Sequence, residues 1–449
     1  MVKDMTKGSP ARLILEFALP LLAGMFFQQL YNLVDTMIVG RFLGVQALAG
    51  VGATGSICFL VMGFCMGLCA GFAIPVAQRF GAGEESRMRE FAANGLWLCG
   101  LFAVAGTALT VNCCRMILTV MGTPRDCFEN AYRYVVVIFA GIPFTLMYNL
   151  LSGYLRSLGD SKTPLFFLIL SSFLNVGLDL LLILVFHMGV TGAALATVAS
   201  QAISGALCLL WIMKKVPVLH ITRSEWRMQS VRMMELCACG VPMGLQYSVT
   251  GIGGAVLQTA INSLGTTAVA AVAAANRVLC FLGVPLEALG STLATYSAQN
   301  VGAGRYDRLN RGMLTALGMG FAYSACALAI AWFFGRGFTE LFVVDAGEEL
   351  VGLAHTYMLA ETVFYSLLTL VNVVRFTIQG MGFSAFAVIA GALEMVARSI
   401  AGVFMVPVLG FLGAALGSPL AWVFADAFLI PAYLRCRKRL MGKVHHVKN

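Results

Sequence analysis

The chain has 449 residues, 59% of them hydrophobic and 11% charged, with a formal net charge of +9 and a mean hydropathy of +0.85. Soluble chains carry roughly 25% charged residues, so this composition excludes an ordinary soluble globular protein and requires lipid to solvate part of the apolar surface. In a soluble chain the basic excess would raise nucleic acid as a partner; here the basic residues lie between long apolar runs, so they point to membrane topology, and no nucleic acid is expected.

In chain order, MVKDMTKGSPARLILEFALP opens with basic residues before an apolar run, in the manner of a signal peptide. The run continues too far and no small-residue cleavage site follows promptly, so it reads as a first membrane helix that stays. Expected spans are 13–39, 47–77, 91–113, 131–154, 163–186, 190–213, 234–261, 268–297, 313–335, 351–377, 383–406 and 410–434. Strand alternation is absent, which favours a helical bundle over a barrel. With the N-terminus cytoplasmic, inside segments collect 23 Lys and Arg, counting Arg375, and outside loops collect 5. That asymmetry places both termini in the cytoplasm of a multi-pass protein of the cell (plasma) membrane.

Of the 13 Cys, most lie inside apolar runs, and Cys237 and Cys239 have no second pair or His cluster with which to hold zinc. Buried small hydrophobes are their expected role.

The chain is internally duplicated. LGVQALAGVGATG (43–55) matches LGTTAVAAVAAAN (264–276), QRFGAGEESRMRE (78–90) matches QNVGAGRYDRLNR (299–311), and GVTGAALATVASQ (189–201) matches GFLGAALGSPLAW (410–422), all at one offset of 221 residues. Three matches at one offset are hard to obtain by chance. The fold expected is therefore an all-α membrane protein of about 12 transmembrane helices in two pseudo-symmetric six-helix lobes, as parallel repeats. The N-terminal lobe is 1–213, a cytoplasmic linker 214–232 is polar and long enough to let two bundles rock, the C-terminal lobe is 233–434, and 435–449 is a basic cytoplasmic tail.

With these segments laid out, the chain resembles the MATE family, the multidrug and toxic compound extrusion transporters. The resemblance covers essentially the whole chain and rests on QQLYNLVDTMIVG (28–40), the paired QxxGAG turns at Gln78 and Gln299, LRSLGDSKTP (155–164) and VRFTIQGMGFS (374–384). It implies two six-helix lobes and export driven by a proton or sodium gradient.

An ionisable group at mid-bilayer costs roughly 2.5–3.5 kcal/mol, so each one needs a reason. Gln28, Asn32 and Asp35 stand four and three apart, which predicts one polar helix face lining the bundle interior. Asn175 and Asp179 repeat the pattern in a run otherwise of Leu, Val and Phe, and Thr197 on the next helix supplies a hydroxyl. The resemblance carries a cation or proton site onto Asp35, Asn175, Asp179 and Thr197; the oxygens of Asp, Asn and Thr also suit a hard cation such as Na+. The duplication adds an independent argument: position 35 maps near Val256 and Asp179 near Gly402. Acids present in one half alone are not demanded by the shared fold, so coupling is expected in the first lobe.

Glu287, Glu361 and Asp426 are further candidates for lining a substrate cavity. Glu394 and Arg398, four apart, are expected to form an intrahelical ion pair. Met and aromatic residues suit amphipathic organic cations, because Met repacks and rings attract cations. The function expected is an antiporter exporting small amphipathic organic compounds for H+ or Na+, with no cofactor, acting as a monomer in the lipid bilayer. The alternative is a flippase or exporter of a lipid-linked or polar metabolite, which would show a strongly cationic cavity; Arg277 and Arg398 are the only candidates to line one. A membrane enzyme would need paired metal-binding acids or a His cluster deep in the membrane, and none of the five His lies deep in a span. No GxxxxGK[ST] loop is present for ATP.

Overall fold

The computed structural model describes residues 3–342 and 347–447, and these are helices joined by short turns. The first repeat comprises α1 (Pro10–Leu43), α2 (Val45–Ala53), α3 (Gly55–Gly81), α4 (Glu85–Val120), α5 (Arg125–Ala140), α6 (Ile142–Ser157), α7 (Lys162–Leu180) and α8 (Gly189–Lys215). The second comprises α9 (Ser230–Asn262), α10 (Thr266–Gly302), α11 (Tyr306–Phe342), α12 (Glu348–Thr362), α13 (Tyr365–Gly380), α14 (Ala385–Ile400), α15 (Val406–Leu409), α16 (Phe411–Ala415) and α17 (Gly417–Val447). Each α7-type helix ends in a π-helical turn, Leu181–Val185 in one repeat and Ala401–Met405 in the other.

Among the described residues nine helices are long and apolar enough to cross a membrane, or eleven spans if each of two bent pairs is one. Those pairs are α5 with α6, bent by 48°, and α12 with α13, bent by 47°. The twelfth expected span, 234–261, is α9, a 33-residue helix whose Gln246, Tyr247, Ser248 and Thr250 dilute its apolar character.

The three matched segments have a local physical cause. Each carries a glycine in the left-handed region, and the glycines pair at the same offset: Gly44 (φ +85°) with Gly265 (+97°), Gly83 (+74°) with Gly304 (+68°), and Gly189 (+60°) with Gly410 (+58°). Side chains rarely adopt such φ, so these turns hold glycine in both repeats.

The chain divides into two compact units: Met1–Asp4 with Leu19–Gly244, and Met5–Ala18 with Leu245–Asn449. The division runs through α1 and α9 rather than through 214–232. The first unit is built on a core including Leu68, Phe72, Phe91, Phe139 and Leu150, the second on one including Leu279, Tyr357, Tyr365 and Trp422.

In the first unit the opening half of α9 lies against α3. A Cβ on Gly71 would stand 2.4 Å from the Gly240 Cα, and one on Gly67 would stand 2.5 Å from the Met243 carbonyl oxygen. The Cβ on Gly67 would also stand 2.8 Å from the Gly244 Cα, so two glycines four apart on each helix let the backbones touch, as in membrane helix pairs generally.

The segment 214–232, expected as a polar linker, is docked by hydrogen bonds along part of its length. Glu225, buried, accepts from Arg89 Nε (2.9 Å), the Ser86 hydroxyl (3.0 Å) and the Thr222 amide (2.8 Å). Asn94 accepts from the Gln229 amide at 2.8 Å and donates to the Arg227 carbonyl, and Trp97 donates to the Trp226 carbonyl. Burial works against the charge on Glu225, but these donors hold its carboxyl down at about 2. A polar composition suggests solvated chain; here the polar groups are consumed in docking the segment to α4.

The second unit holds a comparable segment. Gln299 accepts from the Met5 amide at 2.8 Å, Asn300 donates to the Met5 carbonyl, and Arg308 donates to the Gly8 carbonyl at 2.9 Å.

Candidate functional site

The first unit contains a cavity of about 310 Å³ lined from α1, α3, α5, α6, α7 and α8. Its wall includes Gln28 and Tyr31 of α1, Thr145 of α6, and Thr197 and Gln201 of α8, with Met25, Met62 and Met66 alongside Tyr134 and Tyr148. Thr145 donates to the Gln201 amide oxygen at 2.5 Å.

The expected polar residues of the first lobe cluster beside this wall. Asp35 and Asp179 interact directly with each other. Asp179 is fully buried, and among the described residues no donor reaches either of its oxygens or Asp35 Oδ1. Asn175, also buried, donates to the Thr197 hydroxyl at 3.3 Å and leaves its own Oδ1 without a donor. Thr197 in turn donates to the Ala193 carbonyl at 3.2 Å. Asn175 and Asp179 are brought to the same face by their four-residue spacing on α7, and the π-helical turn begins two residues beyond Asp179. Such turns widen a helix locally and recur at functional positions.

Two like charges in contact in a low-dielectric interior cannot both remain ionised without compensation. Among the described residues no donor reaches Asp35 Oδ1, Asn175 Oδ1 or either Asp179 oxygen, an arrangement that a proton or a hard cation satisfies. Tyr31 and Tyr134 stand close enough to both acids to feel their charge, and neither was expected. Tyr31 lies four residues before Asp35 and was detectable on that ground; Tyr134 arrives from α5 and carried no local signal.

Other expectations change. Asn32 is exposed and is not among the cavity-lining residues, so the predicted three-residue face reduces to Gln28 and Asp35. Glu287 is likewise exposed and is not gathered with the other acids of the second unit. Glu361 is buried and interacts with Ser418, Tyr357 and Arg398. Asp426 is buried, with both oxygens lacking a hydrogen-bond donor, and feels Arg375 electrostatically.

Arg375, counted with the inside segments, is a buried residue of α13 that pairs with Glu394. The Glu394–Arg398 pair forms too, at 3.8 Å, as the longer of two contacts. Arg156, also counted with the inside segments, lines the cavity. Among the described residues no group of three or more His, Cys, Asp and Glu is placed to hold a metal ion.

A bundle of this architecture, with paired acids beside an internal cavity, defines a membrane transporter. The family model MatE matches residues 20–181 and 242–406, and the chain belongs to that family of multidrug efflux transporters. It is 28% identical over 84% of its length to the probable multidrug resistance protein YoeA of Bacillus subtilis (strain 168), covering 82% of that protein. It is 22% identical to the multidrug export protein MepA of Staphylococcus aureus (strain MSSA476), with 86% of each chain covered. A MATE crystal structure in complex with MaL6 superposes with a TM-score of 0.89 at 23% identity over 98% of both chains.

Proposed function

We propose that the chain is a secondary antiporter that exports small amphipathic, cationic organic compounds in exchange for H+ or Na+, by alternating access of its two lobes. The observation that carries this reading is the contact of half-buried Asp35 with fully buried Asp179, whose two oxygens meet no donor among the described residues. Binding a cation there relieves the repulsion, and releasing it restores the repulsion, so occupancy by the ion and the packing of α1 against α7 are linked. Asn175 Oδ1 adds a neutral oxygen, and the Thr197 hydroxyl positions the Asn175 amide.

The adjoining cavity supports the substrate class. Met25, Met62 and Met66 with Tyr31, Tyr134 and Tyr148 give a soft, aromatic lining that adapts to varied shapes and attracts cations. Pro20 and Pro242 stand beside the two points where α1 and α9 pass between units, and each removes a helical hydrogen bond there. Such points suit bending.

The test is efflux of a fluorescent organic cation from proteoliposomes under a pH gradient alone and a sodium gradient alone. One gradient should drive transport in the native chain, and Asp35→Asn and Asp179→Asn should each abolish it at matched protein levels. Asn keeps size and hydrogen bonding but neither exchanges a proton nor carries full charge. Driven efflux by the double variant would overturn the assignment.

A further inference from the structure

The outer face of the first unit carries a second concavity, unrelated to the transport cavity. It is a groove of about 330 Å³ between α7 and α8, lined by Phe166, Phe167, Leu170, Leu207, Leu210 and Trp211, and closed at one end by Lys214 and Lys215. Phe167 is 3% exposed and forms the floor, with its ring edge-on to Trp211 at 6.3 Å. Phe166, Leu210 and Trp211 are exposed, as residues facing lipid are.

The two lysines end α8 in its last turn, and both are exposed. Among the described residues neither makes a salt bridge. The acid at this end of the pair, Asp160, is engaged elsewhere, being buried and accepting from the Lys162 and Thr163 amides and the Thr163 hydroxyl. The groove is thus apolar along its length and positive at its polar end. A zwitterionic lipid brings its own ammonium to the two lysines along with its phosphate, whereas an acidic lipid brings net negative charge that balances them.

We propose that this groove binds an acidic phospholipid, with the headgroup phosphate on Lys214 and Lys215 and an acyl chain laid over Phe167 between Leu170 and Trp211. The lysine stems run along the apolar wall and bring their ammonium groups to headgroup level. Each lysine near an anionic lipid surface favours binding by about 5-fold, so the pair supplies a preference of about 30-fold.

The full chain can be examined by native mass spectrometry with phosphatidylglycerol and phosphatidylcholine of identical acyl chains. The native protein should retain phosphatidylglycerol preferentially, and Lys214→Gln with Lys215→Gln should remove about 30-fold of that preference while leaving gradient-driven efflux measurable. A second readout is fluorescence quenching by brominated phosphatidylglycerol, which should lose its largest component in Trp211→Phe. Equal retention of the two lipids, an unchanged preference in the double lysine variant, or displacement of the lipid by glycerol phosphate alone would each overturn the proposal.

Discussion

Arg375 and Glu394 show how a charge inside a membrane protein is decided by its partner rather than by its position along the chain. Arg375 stands at the end of an apolar run, where a basic residue reads as loop, yet it is buried against an acid nineteen residues away. Glu394→Gln should leave Arg375 without its hydrogen-bonded acid, with Asp426 as a weaker counter-charge, and cost about 3 kcal/mol, seen as a lowered melting temperature in detergent; melting equal to the native protein would count against the pairing. Glu225 offers a pH test. Its carboxyl is held at about 2, below its ordinary value of 4.5, so the docking of 222–229 is fully supported above 4.5 and weakens as pH falls from 4.5 towards 2. The difference corresponds to about 3 kcal/mol at most. The protection of the Gln229 amide, taken against its intrinsic exchange rate at each pH, should fall through that window, and the fall should vanish in Glu225→Gln, which docks weakly at every pH. The clustering of Asp35, Asn175, Asp179 and Thr197 was legible in the sequence because a polar group in a long apolar run needs a partner. Tyr134, Thr145 and Gln201 were not, since a tyrosine, a threonine or a glutamine near a span is ordinary. Asn32 shares the spacing of the predicted face but is exposed and lies outside the cavity wall.

At the scale of elements, the duplication was the most readable feature, and the glycines with positive φ explain why. A residue that only glycine can occupy survives the divergence of two repeats, whereas packing positions drift. The bend between α5 and α6 falls at Gly141 and Pro143, but its counterpart between α12 and α13 falls in ETVFYS (361–366), with neither proline nor glycine. Two unlike sequences with one bend mean that the surrounding helices impose it, so no local signal could announce the second. The contact of α3 with the start of α9 is similarly invisible along the chain, because it needs two small residues on each of two distant helices. Gly71→Leu should drive a side chain into the Gly240 backbone and prevent stable folding, measured as loss of monodisperse protein after solubilisation. Gly254→Ala, where nothing lies within 4 Å, should melt like the native chain.

For the whole molecule, the basic asymmetry survives the removal of Arg375 from the inside count, and orientation can be tested directly. We propose that 214–232 faces the cytoplasm; Arg223→Cys, exposed in the docked segment, should resist an impermeant thiol reagent in intact cells and react in inverted vesicles, on a background without reactive native Cys. The boundary between units was not legible, because composition marks 214–232 as a linker while packing divides the chain inside α1 and α9. That division has a consequence for biosynthesis. Met5 is bound by Gln299, 294 residues downstream, and at roughly 5–20 residues per second the ribosome needs roughly 15–60 s to make the intervening chain. The second unit's first-made piece must therefore wait for residues 299–308 to receive it, and the first unit is incomplete until residue 244 has emerged. A half-length chain cut at 213 or 229 would carry a helix start that belongs elsewhere and lack the one that belongs to it, so the order of synthesis and the order of assembly run on different clocks.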